Sequence, residues 1–156
     1  MQVNGNAKIN SVGRVISFPK DATSASGTST DFVGAVWNKL NIPQKSGISI
    51  SFTPQITADL NCYANLCYPE GFAFVFTSTP FDLTLGSSRS GLGYEGISNA
   101  VVFEFDFVQS INRNDLKIPH FSVHSNINGP VSATSPQNCV TCNKPLPNIY
   151  VSILFI

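Results

Sequence analysis

The sequence predicts an all-β protein, a β-sandwich or a jelly roll. Three observations favour this class. Apolar and polar residues alternate with period two in several segments, which is typical of half-buried strands. The composition, with twelve phenylalanines, many serines and threonines and scattered glycines and prolines, is typical of an all-β chain. Polar, turn-forming segments separate the alternating ones, and no convincing helix of ten or more residues occurs. The 156 residues suffice for a single domain, 1–156.

The first two predicted strands lie in the first half of the chain. In "GISISFTPQI" (47–56), Ile48, Ile50 and Phe52 point to one side and polar residues to the other. In "GFAFVFTS" (71–78), three phenylalanines share one face, with alanine and valine on the opposite face. Because both faces of this second strand are apolar, we expect it to be a central strand.

Three further strands are predicted towards the C-terminus. In "AVVFEFDFV" (100–108), three phenylalanines lie on one face, and the other face carries Val102, Glu104, Asp106 and Val108. "HFSVHS" (120–125) is predicted as a short strand with Phe121 and Val123 pointing inward. "NIYVSILFI" (148–156) is predicted as the last strand. The intervening segments rich in turn-forming residues are predicted loops: 20–30, 60–70, 85–96, 110–119 and 128–147.

The charge balance and the hydropathy of the sequence argue against a nucleic-acid-binding surface, a membrane-spanning segment and a signal peptide. The nine basic residues are balanced by nine acidic ones and form no basic patch, so a nucleic-acid-binding surface is not predicted. No apolar run is long enough to span a membrane. The first ten residues also lack the hydrophobic core of a signal peptide.

The four cysteines form two local pairs, Cys62 with Cys67 and Cys139 with Cys142. Paired cysteines in loops favour an oxidising compartment, and four cysteines allow three disulfide connectivities. Two local disulfides and four free thiols are both compatible with this spacing of the cysteines. A four-thiolate zinc site is a further alternative, although the two spacings differ and no glycine follows the pairs in the usual place.

Glu104 and Asp106 are unusual because both lie inside an apolar strand. Residues two apart on a strand point to the same side, so the two carboxylates repel unless a cation or a shared proton lies between them. If the next strand pairs antiparallel with this one, His120 returns beside both acids. The loop between them adds Asp115, together with serine and asparagine oxygens. Carboxylates and carbonyls suit calcium, and an added histidine suits a transition ion such as manganese. The cluster could hold both ions, bridged by Asp106 and Asp115.

Two other interpretations of the acidic pair are open. Some sandwich-fold glycoside hydrolases carry a glutamate, an aspartate and a second glutamate along one strand, and Glu104 would then be the nucleophile. Here Val108 and Gln109 stand where that second glutamate is required. Alternatively, the acids lie exposed on the solvated face of an edge strand. His120 could equally be a structural histidine, and no role is assigned to His124.

The order of the motifs resembles the L-type (legume-type) lectin domain. The resemblance runs from about residue 4 to the end and is most specific over residues 71–126. It rests on "GFAFVF", then "SGLGYEGISNAVVFEFDFVQS", then "NDLKIPHFSVHSN". It implies a concanavalin-like jelly roll that binds carbohydrate without catalysis, with calcium and a transition-metal ion such as manganese beneath the sugar site. The implied partners are glycans or glycoproteins.

The resemblance also implies roles for individual residues. The metal ligands it implies are Glu104, Asp106, the backbone carbonyl of Val108, Asp115 and His120. The carbohydrate contacts it implies are Glu70, the backbone N–H groups of Gly91 and Gly93, and Ser110 or Asn112. We further expect an aromatic side chain such as Tyr94 to pack on a face of the sugar.

This chain departs from the family pattern at two positions of the sugar site. Ser110 stands where the family has an asparagine that holds calcium and binds sugar, and Glu70 stands where it has an aspartate. An interaction module that keeps the fold but has lost sugar binding is therefore a further hypothesis.

The family resemblance also implies how far the domain extends and in which cellular compartment the protein works. The family domain continues beyond the strand that matches "IYVSILFI", so we expect an incomplete domain whose C-terminal strands are missing. Members of the family are mostly secreted or lumenal, and their sheets often pair with a second copy. Secretory localisation and a homodimer are therefore expected as well.

Overall fold

The protein is all-β and antiparallel, as the sequence predicts. The computed structural model describes residues 2–10, 16–17, 33–39, 49–55, 70–78, 85–134 and 136–146. Within these ranges every strand pairing is antiparallel. The only helical structure described is two 3₁₀ turns, Arg89–Gly91 and Ile111–Arg113. None of the described helical segments is long and apolar enough to cross a bilayer.

The described strands form one four-stranded sheet and two strand pairs. Their bounds are β1 Gln2–Gly5, β2 Lys8–Ile9, β3 Ile16–Ser17, β4 Gly34–Trp37, β5 Gly71–Thr77, β6 Ser98–Asp106, β7 His120–Pro130 and β8 Cys139–Pro145. The four-stranded sheet has the order β5-β6-β7-β8, while β1 pairs with β4 and β2 with β3. The long strands β6 and β7 therefore lie in the middle of the larger sheet.

One face of the larger sheet is aromatic. The rings of Phe72 and Phe105 stack across β5 and β6 with centroids 4.8 Å apart, and Phe105 lies 5.1 Å from Phe121 on β7. Phe52 packs onto this face from outside the sheet, 4.6 Å from Phe74. These phenylalanines are cross-strand neighbours because the alternation in each strand is in register with that of the next.

The opposite face of the sheet carries the buried core and also the most polar residues of β6 and β7. The apolar cluster on this side comprises Tyr94, Ile97, Ala100, Val102, Val131 and Ala133. Further along the same face, five polar or charged side chains are equally buried: Glu104, Asp106, His120, Ser122 and His124. Burial of this many polar groups needs compensating partners, so this face is where a functional site is expected.

The predicted orientation of β7 is wrong. Phe121 and Val123 lie on the aromatic face and are only half buried, whereas His120, Ser122 and His124 are at most 1 % exposed. The alternation of side chains along β7 was predicted correctly, but their hydrophobicity indicated the less buried face as the inner one. The polar side of β7 faces inward because it shares a face with the acids of β6.

Other predicted elements differ from the structure. β5 is at the edge of its sheet within the described residues, not central. Residues 49–55 form no strand. The predicted loop 128–147 contains the end of β7 and all of β8, which alternates weakly and carries two cysteines. The predicted strand at 148–156, the loop at 20–30 and most of the loop at 60–70 lie outside the described residues.

A disulfide joins Cys139 and Cys142 within β8. It opposes a stretch of β7 where the pairing register shifts twice, between Phe121 and Val123 and again between Val123 and His124. Local pairing of these two cysteines is thereby resolved in favour of a disulfide, and they are not thiolate ligands of zinc in this arrangement. Cys62 and Cys67 lie outside the described residues.

Gly71 is expected to be intolerant of any side chain. A Cβ atom there would lie 2.2 Å from the carbonyl oxygen of Phe105 in β6, a backbone atom that cannot move without breaking the ladder. We expect Gly71→Ala to lower the free energy of unfolding by about 3 kcal/mol, and so the melting temperature by roughly 6–12 °C. Gly129→Ala is the matched control, because its Cβ would meet only the side chain of Asn126, at 3.4 Å. Equal melting temperatures for the two variants would contradict the prediction.

Candidate metal centre

Two strands bring together, on the buried face of the sheet, three side chains of types that can ligate metal. The antiparallel register places Asp106 opposite His120, and Glu104 opposite Ser122 one pair further on. One donor atom from each of Glu104, Asp106 and His120 lies within 4.8 Å of the other two. The pairing that the sequence predicted is therefore present. The alternative of idle, exposed acids is wrong, since Glu104 is 2 % and Asp106 3 % exposed and β6 is internal to its sheet.

The imidazole of His120 is oriented as a metal ligand would be. Its Nδ1 lies 3.2 Å from the carbonyl oxygen of Ile118, and because a carbonyl only accepts, Nδ1 carries the hydrogen. Nε2 points towards the carboxylates, 3.9 Å from Glu104 Oε1 and 3.9 Å from Asp115 Oδ1. Within the described residues this buried nitrogen has no hydrogen-bond partner. Metal-ligating histidines characteristically hold their other nitrogen in this way.

Asp115 joins the cluster from the loop between β6 and β7. Its Oδ2 accepts the N–H of Ser110 at 3.0 Å, which fixes the turn, and its Oδ1 faces His120. The side chain is 4 % exposed. Burial raises the pKa of the Asp115 carboxyl, with the Ser110 N–H acting in the opposite direction. Asp115 therefore contacts His120, while the three-residue group of converging donors comprises Glu104, Asp106 and His120, and the predicted role of Asp115 as a ligand stays a prediction.

Burial of several carboxylates makes their ionised forms unfavourable without a cation. Desolvation raises the pKa of Glu104 to about 7, against an opposing hydrogen bond from Tyr94. Desolvation likewise raises the pKa of Asp106 to about 7, and the charges of Asp115, Glu104 and Glu70 add to this effect. A bound divalent cation would relieve the cost of ionising both groups.

Val108 lies beside the cluster through its backbone. Its N–H donates to Asp106 Oδ1 at 2.8 Å, which orients that carboxylate, while its side chain is 37 % exposed. The predicted role of its carbonyl in holding calcium stays a prediction. The N–H contact is a feature that sequence spacing did not indicate.

The predicted carbohydrate-binding residues lie in three segments around the cluster. Glu70 precedes β5; its carbonyl accepts the N–H of Phe107, and its charge acts on Asp106. Ser110 is half buried in the turn fixed by Asp115, and Asn112 is exposed. These segments are held close to the carboxylates, so a ligand above them would lie near the candidate metal centre.

The glycine-rich loop at 86–96, part of the predicted loop 85–96, is already internally bonded. The N–H of Gly91 donates to Ser88 O at 3.1 Å, and the N–H of Gly93 donates to Ser87 O at 2.8 Å. A sugar hydroxyl would have to compete with these bonds for the two donors that the sequence assigned to it. Gly93 is required for the turn itself, because its φ is +73°.

The predicted stacking of Tyr94 on a sugar is wrong. Tyr94 is 0 % exposed and belongs to the core cluster. Its hydroxyl donates to Glu104 Oε2, and burial raises the pKa of the phenol. Tyr94 therefore helps to hold Glu104 in place from below.

His124 is the residue of this site that the sequence analysis missed. Its Nδ1 lies 3.2 Å from Gln137 O, and its Nε2 lies 3.9 Å from Glu104 Oε2. Burial lowers the pKa of the imidazole, so the neutral form is favoured. A signal was present, because a residue four positions after His120 on one strand must lie on the same face.

Comparison with known proteins adds no family assignment to this geometry: no protein-family model matches the sequence, and no significant match was found among curated proteins or among solved structures.

Proposed function

We propose that this chain is a metal-dependent carbohydrate-binding protein with the jelly-roll fold of an L-type lectin. One observation carries the metal part of the proposal. Three buried ligand side chains converge within 4.8 Å, and one of them, His120, aims an unpartnered nitrogen at the others, judged over the described residues. A cluster of this kind is costly to bury unless a cation completes it.

The donor set fits the ions that the motifs imply. Glu104, Asp106 and His120 combine carboxylates with an imidazole, which suits manganese or a similar transition ion. Asp106, Asp115 and the carbonyl of Val108 offer the oxygens that calcium prefers. The ions would neutralise the carboxylates and order the loop between β6 and β7 before a glycan arrives, so that less ordering entropy is lost on glycan binding.

We expect glycan binding to depend on metal. The chelated protein should bind no glycan on an array, and binding should return when manganese and calcium are added together. Titration calorimetry of the chelated protein with each ion separately measures which ion binds and how tightly. Glycan binding that persists in EDTA would contradict the proposal.

A second candidate function is an interaction module that binds metal but no sugar. The engaged N–H groups of Gly91 and Gly93 favour it, as do Glu70 and Ser110 at the two departures from the family pattern. Metal binding without any glycan on the array would support this candidate. The glycoside hydrolase hypothesis is less favoured, because Glu104 is 2 % exposed and bonded to Tyr94, which is unsuited to attack on a substrate.

A further inference from the structure

The side chain of Arg113 joins three loops that are far apart in sequence. Its two terminal nitrogens donate to the two carboxylate oxygens of Glu95 in the glycine-rich loop. One of them also donates to Thr134 Oγ1 at 3.0 Å, and Nε donates to Ser90 Oγ at 3.5 Å. Sequence analysis assigned no role to Arg113, Glu95 or Thr134.

The pair formed by Arg113 and Glu95 is stronger than an ordinary surface ion pair. Both side chains are only about a fifth exposed, at 19 % and 20 %. Two parallel N–H bonds to one carboxylate restrict the geometry as well as adding energy. Hydrogen bonding to Glu95 raises the pKa of the guanidinium, which therefore stays charged.

Each end of this pair is fixed to a segment of the candidate site. On one side, the N–H of Arg113 donates to Ser110 O at 2.9 Å, in the same turn where Asp115 accepts the N–H of Ser110. On the other side, the N–H of Glu95 donates to Gly91 O at 3.1 Å. Gly91 also packs against the glutamate, since a Cβ there would lie 3.1 Å from Glu95 Oε2.

We propose that Arg113 is a positioning residue that couples the metal-ligating turn to the glycine-rich loop. When metal fixes Asp115, the turn that holds Arg113 becomes ordered, and through Glu95 the loop at 86–96 becomes ordered with it. Without the arginine, metal would order only its own turn. This inference rests on the proposed metal binding. It identifies how an ion bound on the buried face of the sheet would order a loop that supplies no ligand to it.

Hydrogen exchange measured by mass spectrometry tests the coupling without any glycan. In the wild-type protein, manganese with calcium should slow exchange in peptides covering 107–119 and also in those covering 86–96. In Arg113→Met, protection of 107–119 should remain while that of 86–96 is lost. We expect the loss to be at least about fivefold in exchange rate, the lower end of ordinary coupling between sites.

Two further variants make the test specific. Glu95→Gln removes the other partner and should give the same result, while Arg113→Lys keeps the charge without the paired donors and should restore the protection only in part. Lys117→Met is the matched control, because it removes an exposed positive charge from the same segment and should behave as wild type. Because Glu95→Gln alters the other partner of the pair, failure of an Arg113 variant to fold does not decide the outcome.

The outcomes separate this inference from the proposed function. Protection of 86–96 that persists in Arg113→Met and Glu95→Gln would overturn the coupling while leaving metal binding intact. Absence of protection in both segments of the wild-type protein would overturn metal binding itself, and the coupling with it.

Discussion

Replacing His120 by glutamine is expected to lower the affinity for manganese by at least about 100-fold, since even loss of a residue that merely supports a ligand costs 10- to 100-fold. The imidazole Nε2 faces Glu104 Oε1 and Asp115 Oδ1, both at 3.9 Å, and supplies the only nitrogen of the described three-residue cluster. Glutamine has a similar volume, so the core should repack with little strain. Titration calorimetry of the chelated protein measures the affinity directly.

The same variant should also lose the stabilisation that metal confers. In the wild-type protein, an ion at 100 times its dissociation constant adds about 3 kcal/mol to the free energy of unfolding. At the same ion concentration we expect an increase of less than about 0.5 kcal/mol in His120→Gln. Ser122→Ala is the matched control, because Ser122 is buried on the same face of β7 and bonds Asn143, not the acids. An unchanged manganese affinity in His120→Gln would show that the histidine is structural.

The second large effect expected is a change of stability with pH. We expect the metal-free protein to become less stable as the pH rises from 6 to 8, and the metal-bound protein to become more stable. In the metal-free protein, burial raises the pKa values of Glu104 and Asp106 to about 7, so the folded state binds protons more tightly than the unfolded state. Stability from these groups is therefore fully present below their ordinary pKa values and is lost as the pH rises through 7. Between pH 6 and pH 8, each carboxylate should cost about 1 kcal/mol.

His124 acts in the opposite direction over part of the range. Its pKa is lowered by burial, so it destabilises the fold as the pH falls below its ordinary value of 6.5. Between pH 6 and pH 8 this contribution is less than about 1 kcal/mol, so it offsets part of the combined loss of about 2 kcal/mol from the two acids. The melting temperature of the metal-free protein should then fall from pH 6 to pH 8 by roughly 2–6 °C.

Metal should reverse this trend, because an ion binds the ionised carboxylates and competes with protons. With saturating manganese and calcium, the melting temperature should be higher at pH 8 than at pH 6. Glu104→Gln provides the control, since it keeps the hydrogen bond from Tyr94 and removes one titrating group, and should flatten the metal-free profile. A metal-free protein that becomes more stable between pH 6 and pH 8 would refute the expectation.

Local pattern was sufficient to predict the strands that carry the site. The alternation in 71–78 and 100–108 corresponds to β5 and most of β6, and the loop at 107–119, in which no helix is predicted, is compatible with an antiparallel return to His120. Once that pairing is assumed, the period of two places Glu104 and Asp106 on one face with His120 nearby. The grouping of these residues therefore follows from chain geometry.

Local pattern could not predict which face of the strands is buried. In β7, the apolar side chains of Phe121 and Val123 indicated the wrong inner face, because the aromatic side of the sheet is only half covered within the described residues. The burial of Tyr94 was missed for a related reason. A tyrosine in a glycine-rich loop is predicted to be exposed, and only the folding of that loop onto the sheet places its hydroxyl against Glu104.

The sequence by itself determined the all-β class and, once an antiparallel return is assumed, the grouping of Glu104 and Asp106 with His120, whereas the structure supplied the pairing of β6 with β7. The class and this grouping each depend on spacing along one chain or across one turn. Only the tertiary structure decided that the acids are buried, that His124 joins them, and that Arg113 links the turn of Asp115 to Glu95. These contacts of His124 and Arg113 join segments 18 or more residues apart, as with Arg113 and Glu95. The burial of the acids depends on which segments cover that face of the sheet. Residue spacing predicts neither the long-range contacts nor the burial, because both are set by the packing of loops on the sheet.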